Sequence, residues 1–205
     1  MRTKTRPVKQ PDVTRDKILE AAFNEIHRYG FQAASVASIL ADTGLTKGAL
    51  YHHFPAKHDL GLAVVDEVIE RILADTIFIP LRDSAHPIET LQEILRSKRS
   101  KRSTPEVVEL GCPLNNLMQE MSPLDEQFRQ RLNKLMQRWQ DTLADALRRA
   151  QKQGQVRKGI NCTMTALFII SAWEGCVGIA KNMQSVKTYQ QCFDQLIEYV
   201  ASLAN

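Results

Sequence analysis

Residues 46–57, T-K-G-A-L-Y-H-H-F-P-A-K, bring a hydroxyl, two ammonium groups, a phenol and two imidazoles into one short stretch. Lys47 and Tyr51 are four apart, as are Gly48 and His52, so a helix puts these pairs on one side, while Leu50 and Phe54 share another. A cation, a phenolic hydroxyl and an imidazole presented together suit hydrogen bonding to phosphate oxygens and base edges. Gly48 costs a helix roughly 1 kcal/mol relative to Ala, a cost with a use where a backbone must come close to another polymer. Thr46, at the helix start, can offer its hydroxyl and unpaired backbone N–H groups to a phosphate. Lys57, just past Pro55, is spaced for a second such contact. The same spacing fits an ordinary three-helix bundle whose polar side is simply hydrated, and spacing alone leaves both readings standing.

Elements that could hold these side chains are readable around them. In residues 14–29, Ile18, Leu19, Ala22, Phe23 and Ile26 form one apolar stripe of a helix capped by Thr14 and closed by Gly30. Ser35 caps a second, short helix with Val36, Ile39 and Leu40 inward, and Gly44 stops it. Thr46 caps a third, anchored by Leu45, Leu50 and Phe54; Pro55 ends it because the residue before a proline is pushed out of the α region. Residues 35–54 therefore read as helix, glycine turn, helix, a unit whose second helix can enter a DNA major groove.

Beyond it, Leu60, Val64, Val68 and Ile72 stay in helical phase over residues 56–81, with Pro80 as the expected stop, and residues 88–95 form the next helix. The run R-S-K-R-S-K-R-S at 96–103 has no acidic neighbour and reads as a loop or frayed helix end. Gly111-Cys112-Pro113 opens a helix with proline in its first turn, and Ser122-Pro123-Leu124-Asp125 opens a long one ending at Gly154. Its stripe is Leu124, Phe128, Leu132, Leu135, Met136, Trp139, Leu143, Leu147 and Ala150. Residues 161–184 and 188–203 complete an all-α chain of roughly nine helices.

With 205 residues, 43% hydrophobic, the chain can bury a core. Nine basic and six acidic residues fall in 1–60, against eighteen and seventeen in 61–205, so the positive excess sits at the N-terminal end. Four separated cysteines with no C-x-x-C suit a reduced, cytoplasmic protein. The longest uncharged stretch, 159–173, is too short to span a bilayer and reads as a buried helix, so no membrane partner is expected. The five histidines have no Cys or carboxylate at zinc-finger spacing; no metal and no cofactor is expected.

The stretch T-K-G-A-L-Y-H-H-F-P-A-K-H-D-L, preceded by S-V-A-S-I-L-A-D-T-G-L, resembles the DNA-binding signature of the TetR family of transcriptional regulators over about residues 14–62. The resemblance implies a helix-turn-helix DNA-binding domain at 14–55 after a flexible basic arm at 1–13, then an effector-binding and dimerisation domain at 56–205. By residue-wise match it assigns Thr46, Lys47, Gly48, Tyr51, His52 and Lys57 to DNA, with Ser35 and Ser38 beside them. There is one departure: where many members carry Arg or another long polar residue in the scaffold helix, this chain has Ala37, for which Ser38 is a partial substitute. The arm, with Arg2, Lys4, Arg6 and Lys9, either adds phosphate or minor-groove contacts or is simply disordered.

Cys112 lies after a glycine and before a helix-initiating proline, where a helix N-terminus lowers a thiol pKa. G-C-P-L-N-N-L-M-Q-E-M-S, with A-W-E-G-C-V-G-I-A-K downstream, also resembles a TetR subgroup in which a G-C-x-x-x-N-L-x-x-E segment lines the effector cavity and the cysteine is a candidate sensor of electrophiles or oxidants. The candidate effector residues are Cys112, Asn115, Asn116, Trp173, Glu174 and Lys181. Ile170, Glu174, Val177 and Lys181 share one helical azimuth, so Lys181 is placed to stabilise a thiolate on Cys112, or only snorkels to the surface. The plain alternative for Cys112 is inert packing. Cys162 and Cys176, about 21 Å apart along one helix, cannot pair with each other and read as structural.

A cysteine hydrolase needs a general base near its thiol, and no histidine follows His86, so the chain reads as no enzyme. The expectation is a cytoplasmic homodimeric regulator of a palindromic double-stranded DNA operator, released by a small-molecule effector, electrophilic in one reading, or by modification of Cys112. Sequence does not separate repressor from activator. Residues 161–203 are the expected dimerisation helices, because two long apolar helices must bury their stripes somewhere.

Overall fold

Side-chain caps written into the sequence set where several of the helices begin. The structure, a computed structural model, describes residues 13–41, 43–101 and 103–204; the basic arm, but for Val13, lies outside them, as does Arg102. Among the described residues the fold is all-α, with one isolated antiparallel bridge between Val156 and Ala204. The chain divides into two units, Met1–Val64 and Val65–Asn205.

In the first unit, α1 (Val13–Tyr29) buries Ile18, Leu19, Ala22 and Ile26. Thr14 lies inside its first turn rather than at its cap. Gly30, at φ 85°, ends it in the left-handed conformation that a side chain would resist. α2 (Val36–Ala41) starts on Ser35, whose Oγ accepts from the Ser38 N–H at 3.0 Å, and it buries Ile39 and Leu40. The turn is closed by Thr43, which donates its hydroxyl to the Leu40 carbonyl and accepts from the Leu45 N–H, with Gly44 at φ 69°. Thr46 then caps α3 (Lys47–His53), its Oγ1 accepting from the Ala49 N–H at 3.2 Å. Leu50 and Phe54 are buried and pin α3 down, while Leu45 is only half-buried. Thr46→Ala is expected to cost about 1 kcal/mol of stability through the lost cap, read as a shift of the urea midpoint with unchanged slope. α4 (Lys57–Ala63) begins with the Asp59 carboxylate accepting from the Ala56 N–H at 3.0 Å.

A π-helical segment, Val64–Ile69, starts on the last residue of the first unit, and the second unit continues with α5 (Glu70–Leu73), a second π-helical segment, Ala74–Phe78, and α6 (Ile79–Asp83). Pro80 therefore does not stop the helix. It lies in the first turn of α6, directly after the wider π turn has shifted the hydrogen-bond register, where a missing N–H costs least. α10 (Glu126–Lys152) docks here, with Arg131 on Asp66, Arg138 on Glu70, and the Arg138 guanidinium 4.9 Å from the Phe78 ring. Its cap is Asp125, which accepts from the Phe128 N–H at 2.9 Å; Leu124 stands outside the helix, 61% exposed, and does not join the stripe.

The basic run is not a loop. α7 (Pro87–Lys101) carries Arg96, Lys98 and Arg99 on a regular helix. Arg99 reaches α12 (Val186–Ala201) and makes a two-pronged pair with Asp194 at 2.8 and 3.0 Å, which holds the Asp194 carboxyl below its ordinary range. A short helix without a counterpart in the sequence reading, α8 (Pro105–Leu110), is capped by Thr104 and precedes α9 (Pro113–Met121). α11 (Cys162–Met183), capped by Asn161, buries Ala166, Ile169, Ile170, Trp173, Val177 and Ala180 against α10 and α12. Its length and composition would also allow it to cross a membrane, but this buried side makes it a core helix with one uncovered face.

Candidate nucleic-acid interface and effector region

The side of α3 opposite Leu50 and Phe54 presents Lys47, Gly48, Tyr51 and His52 to solvent, with Thr46 exposed at its start. Tyr51 is 47% exposed. An exposed phenol between a cation and an imidazole is supported neither by burial nor by a structural hydrogen bond of its own, so its orientation is free to serve a partner. Ser35 and Ser38 are exposed too, and their hydroxyls bond each other at 2.8 Å. Lys57 is half-buried: its ammonium donates to the Gln32 carbonyl at 3.0 Å and lies 4.8 Å from the Phe31 ring centroid. Two of its three protons stay available for a phosphate. Arg15 on α1, which the sequence reading passed over, holds its guanidinium 5.0 Å from the Phe54 ring and braces the inward end of α3. Its signal was present, since Arg15 precedes the buried Ile18 by one turn.

In the second unit the candidate effector residues gather unevenly. Cys112 caps α9 in extended conformation, and the Leu114 and Asn115 backbone N–H groups favour its thiolate, as a helix N-terminus should. Burial outweighs them, and the Glu174 carboxylate beside it adds to the penalty, so the thiol is pushed far above its usual range. The expected low-pKa thiolate is therefore not what the fold produces. Nor does Lys181 serve Cys112. Its ammonium donates to the Leu110 carbonyl at 3.1 Å and to Asn116 Oδ1 at 3.2 Å, while the Asn116 amide donates to the same carbonyl at 2.8 Å. Gly111, at φ 73°, permits this: a Cβ there would sit 2.9 Å from Lys181 Cδ.

Glu174 is the residue that faces Cys112. Both carboxylate oxygens are buried without a hydrogen-bond partner of normal geometry; the Cys112 thiol and the Lys98 cation act on the group electrostatically. Burial dominates and pushes its pKa up to about 7. Trp173 lies edge-on to Trp139 and Phe193, with centroids 5.4 and 5.6 Å away, and Lys98 Nζ stands 5.6 Å from its ring. Asn115 is half-buried on α9. Lys98 was missed although Leu91, Leu95 and Lys98 fall at i, i+4 and i+7, which puts the lysine on the buried stripe of α7. No group of three or more His, Cys, Asp or Glu among the described residues is clustered to hold a metal.

A capped helix, a tight glycine turn and a second helix with its apolar side held and its polar side free define a helix-turn-helix DNA-binding transcriptional regulator. The comparisons agree. Residues 18–64 match the family described as bacterial regulatory proteins, tetR family, and residues 87–196 match the tetracyclin repressor-like C-terminal domain. The chain belongs to the TetR family. An uncharacterized HTH-type transcriptional regulator in the lacX 3' region of Lactococcus lactis subsp. lactis is 30% identical over 183 residues, 89% of this chain and 91% of its own. The HTH-type transcriptional repressor DhaR of Mycobacterium sp. (strain GP1) is 26% identical over 200 residues, covering 93% of this chain and 96% of DhaR. A TetR transcriptional regulator from Chloroflexus aurantiacus J-10-FL shares the fold with a TM-score of 0.81 at 25% identity, over 93% of this chain and 96% of that one.

Proposed function

We propose that this regulator is a cytoplasmic repressor that binds a palindromic operator as a homodimer and leaves it when a small molecule occupies the region of Cys112, Asn115, Asn116, Trp173, Glu174 and Lys181. The observation that carries the DNA half is the solvent-facing set Thr46, Lys47, Gly48, Tyr51 and His52 on a helix fixed by Leu50 and Phe54. Affinity then comes mainly from phosphates and sequence choice from α3. The repressing sign is supported by the name of its relative DhaR. The test is a reporter with the operator placed over its promoter: co-expression of the regulator lowers output at least tenfold, and raised output would assign an activator instead.

The homodimer is supported by α11, whose uncovered side carries Met164, Phe168, Ile179 and Met183, all exposed, around the small Ser171, Gly175 and Gly178. Such a side matches a self-complementary face. Phe168→Glu combined with Ile179→Glu is expected to give a folded monomer by light scattering, since both side chains are more than half exposed. A persistent dimer would move the interface elsewhere. For release, ligand binding is favoured over thiolate chemistry, because burial and Glu174 keep the Cys112 thiol protonated. A ligand that prefers one arrangement of the second unit shifts the population of DNA-competent dimers.

A further inference from the structure

Lys98 reaches from a surface groove to the buried end of the effector region. Its ammonium stands 5.6 Å from the ring of Trp173, which is 4% exposed and which Trp139 on α10 and Phe193 on α12 meet edge-on. The next residue, Glu174, keeps both carboxylate oxygens out of solvent, and no hydrogen bond joins them to Lys98 or to any other group. Its flank of α11 faces the start of α9. Lys181, two turns further along that flank, bonds the Leu110 carbonyl and Asn116 there. On the outer side, Lys98 lines a groove of about 290 Å³ with Thr76, Pro80, Glu93, Ile94 and Ser97, and Glu93 is exposed. That volume lies at the small end of ligand pockets, which run to roughly 300–1,000 Å³.

We propose that Lys98 holds the place of the effector: the ligand that releases this regulator is a small alkylammonium ion, which enters between α6 and α7, displaces the Lys98 ammonium from the Trp173 face and donates to the Glu174 carboxylate. The inference deepens the proposed function and rests on its placing of the effector at Trp173 and Glu174. An aromatic face attracts a cation, and a buried carboxylate without a hydrogen bond is costly until a donor reaches it. Lys98 satisfies the ring but, tethered to α7, leaves the carboxylate oxygens without a bond. An untethered ammonium carries three protons and can serve ring and carboxylate together. The displaced lysine swings back into the groove that it already lines, where water solvates it. A neutral ligand of the same shape gains neither interaction, and an anion would be buried against an acid.

The probe is n-butylammonium, the lysine side chain cut free of its backbone, with 1-butanol and butyrate as its neutral and anionic counterparts. The full-length chain is titrated with each by calorimetry in the absence of DNA. Wild type is expected to bind n-butylammonium about tenfold more tightly than 1-butanol. Lys98→Ala, which vacates the ring face, gains about tenfold over wild type, and Glu174→Gln loses about tenfold. Circular dichroism checks that each variant is folded, and Lys98→Met, which keeps the apolar stem, is read in the same way should the alanine variant not fold. Equal binding of amine and alcohol, preference for butyrate, unchanged affinity in Glu174→Gln, or no heat from the amine with wild type and Lys98→Ala alike would overturn the proposal. Because no operator is present, such a failure leaves the repressor reading to the reporter assay, and a failure of repression there leaves the cation site standing.

Discussion

Tyr51→Ala and Lys47→Ala each remove operator retention in a gel shift while leaving circular dichroism and the thermal midpoint in place. Tyr51 is 47% exposed and Lys47 is exposed at the start of α3, so neither truncation opens a cavity in the core formed by Ile18, Leu50 and Phe54. A side chain that contacts a base edge contributes about 1–3 kcal/mol to discrimination, and two symmetric heads double that loss for each dimer. The combined effect spans two or more orders of magnitude in affinity. The two variants differ in kind. Losing the Lys47 ammonium weakens all sequences similarly and lowers the salt slope by about one per head, whereas losing the Tyr51 phenol reduces the preference for the cognate sequence. Equal retention of wild type and both variants would remove α3 from the DNA altogether.

Glu174→Gln makes the protein more stable at pH 8 and little different at pH 4.5. The direction follows from the proton balance. The folded-state pKa of about 7 lies above the ordinary value of 4.5, so between these pH values the unfolded chain has already released a proton that the folded one keeps. Stability attributable to this group is therefore lost as pH rises from about 4.5 to about 7, and the cost is fully present above that window. At 1.36 kcal/mol per pKa unit the ceiling is about 3 kcal/mol, and a gain on the order of 2 kcal/mol is expected for the amide at pH 8. For a chain of this size that is a rise of roughly 4–8 °C in the melting midpoint. Scanning calorimetry of both proteins at the two pH values checks it, and parallel curves would show that Glu174 is solvated or paired in solution. A largely buried carboxyl that the Cys112 thiol and the Lys98 cation stabilise only in part, retained at such a cost, is the pattern expected of a group kept for a ligand rather than for the fold.

Local chemistry was legible in the sequence and distant partnership was not. The caps Ser35 and Thr46 and the glycine turns at Gly30 and Gly44 act within four residues, so the end of α1, and α2 and α3, could be read directly. Thr104 followed by Pro105 is an equally local start signal, and α8 could have been read from it. The run at 96–103 looked unpackable because its anchors, Asp194 and Trp173, are many residues downstream. Pro80 looked like a stop because a π turn ahead of it leaves no periodic trace in composition. At Cys112 the helix terminus was visible and its effect on the thiol has the expected sign, but burial and Glu174, both tertiary facts, outweigh it. Glu174 and Lys181 share one azimuth on α11, and only the close approach that Gly111 allows decides that the lysine turns to Leu110 and Asn116 and the acid to Cys112.

The central claim is that α3 lies in the major groove, once for each protomer. Methylation of guanine N7, an atom found only in that groove, tests it most directly when operator fragments selected by the full-length protein are methylated and then sorted into bound and free. The account predicts that methylation interferes at two clusters related by a dyad and centred about one helical turn, or a whole number of turns, apart. Unimpeded binding to DNA methylated at every guanine of a guanine-containing half-site, or interference confined to minor-groove adenine N3, would contradict it.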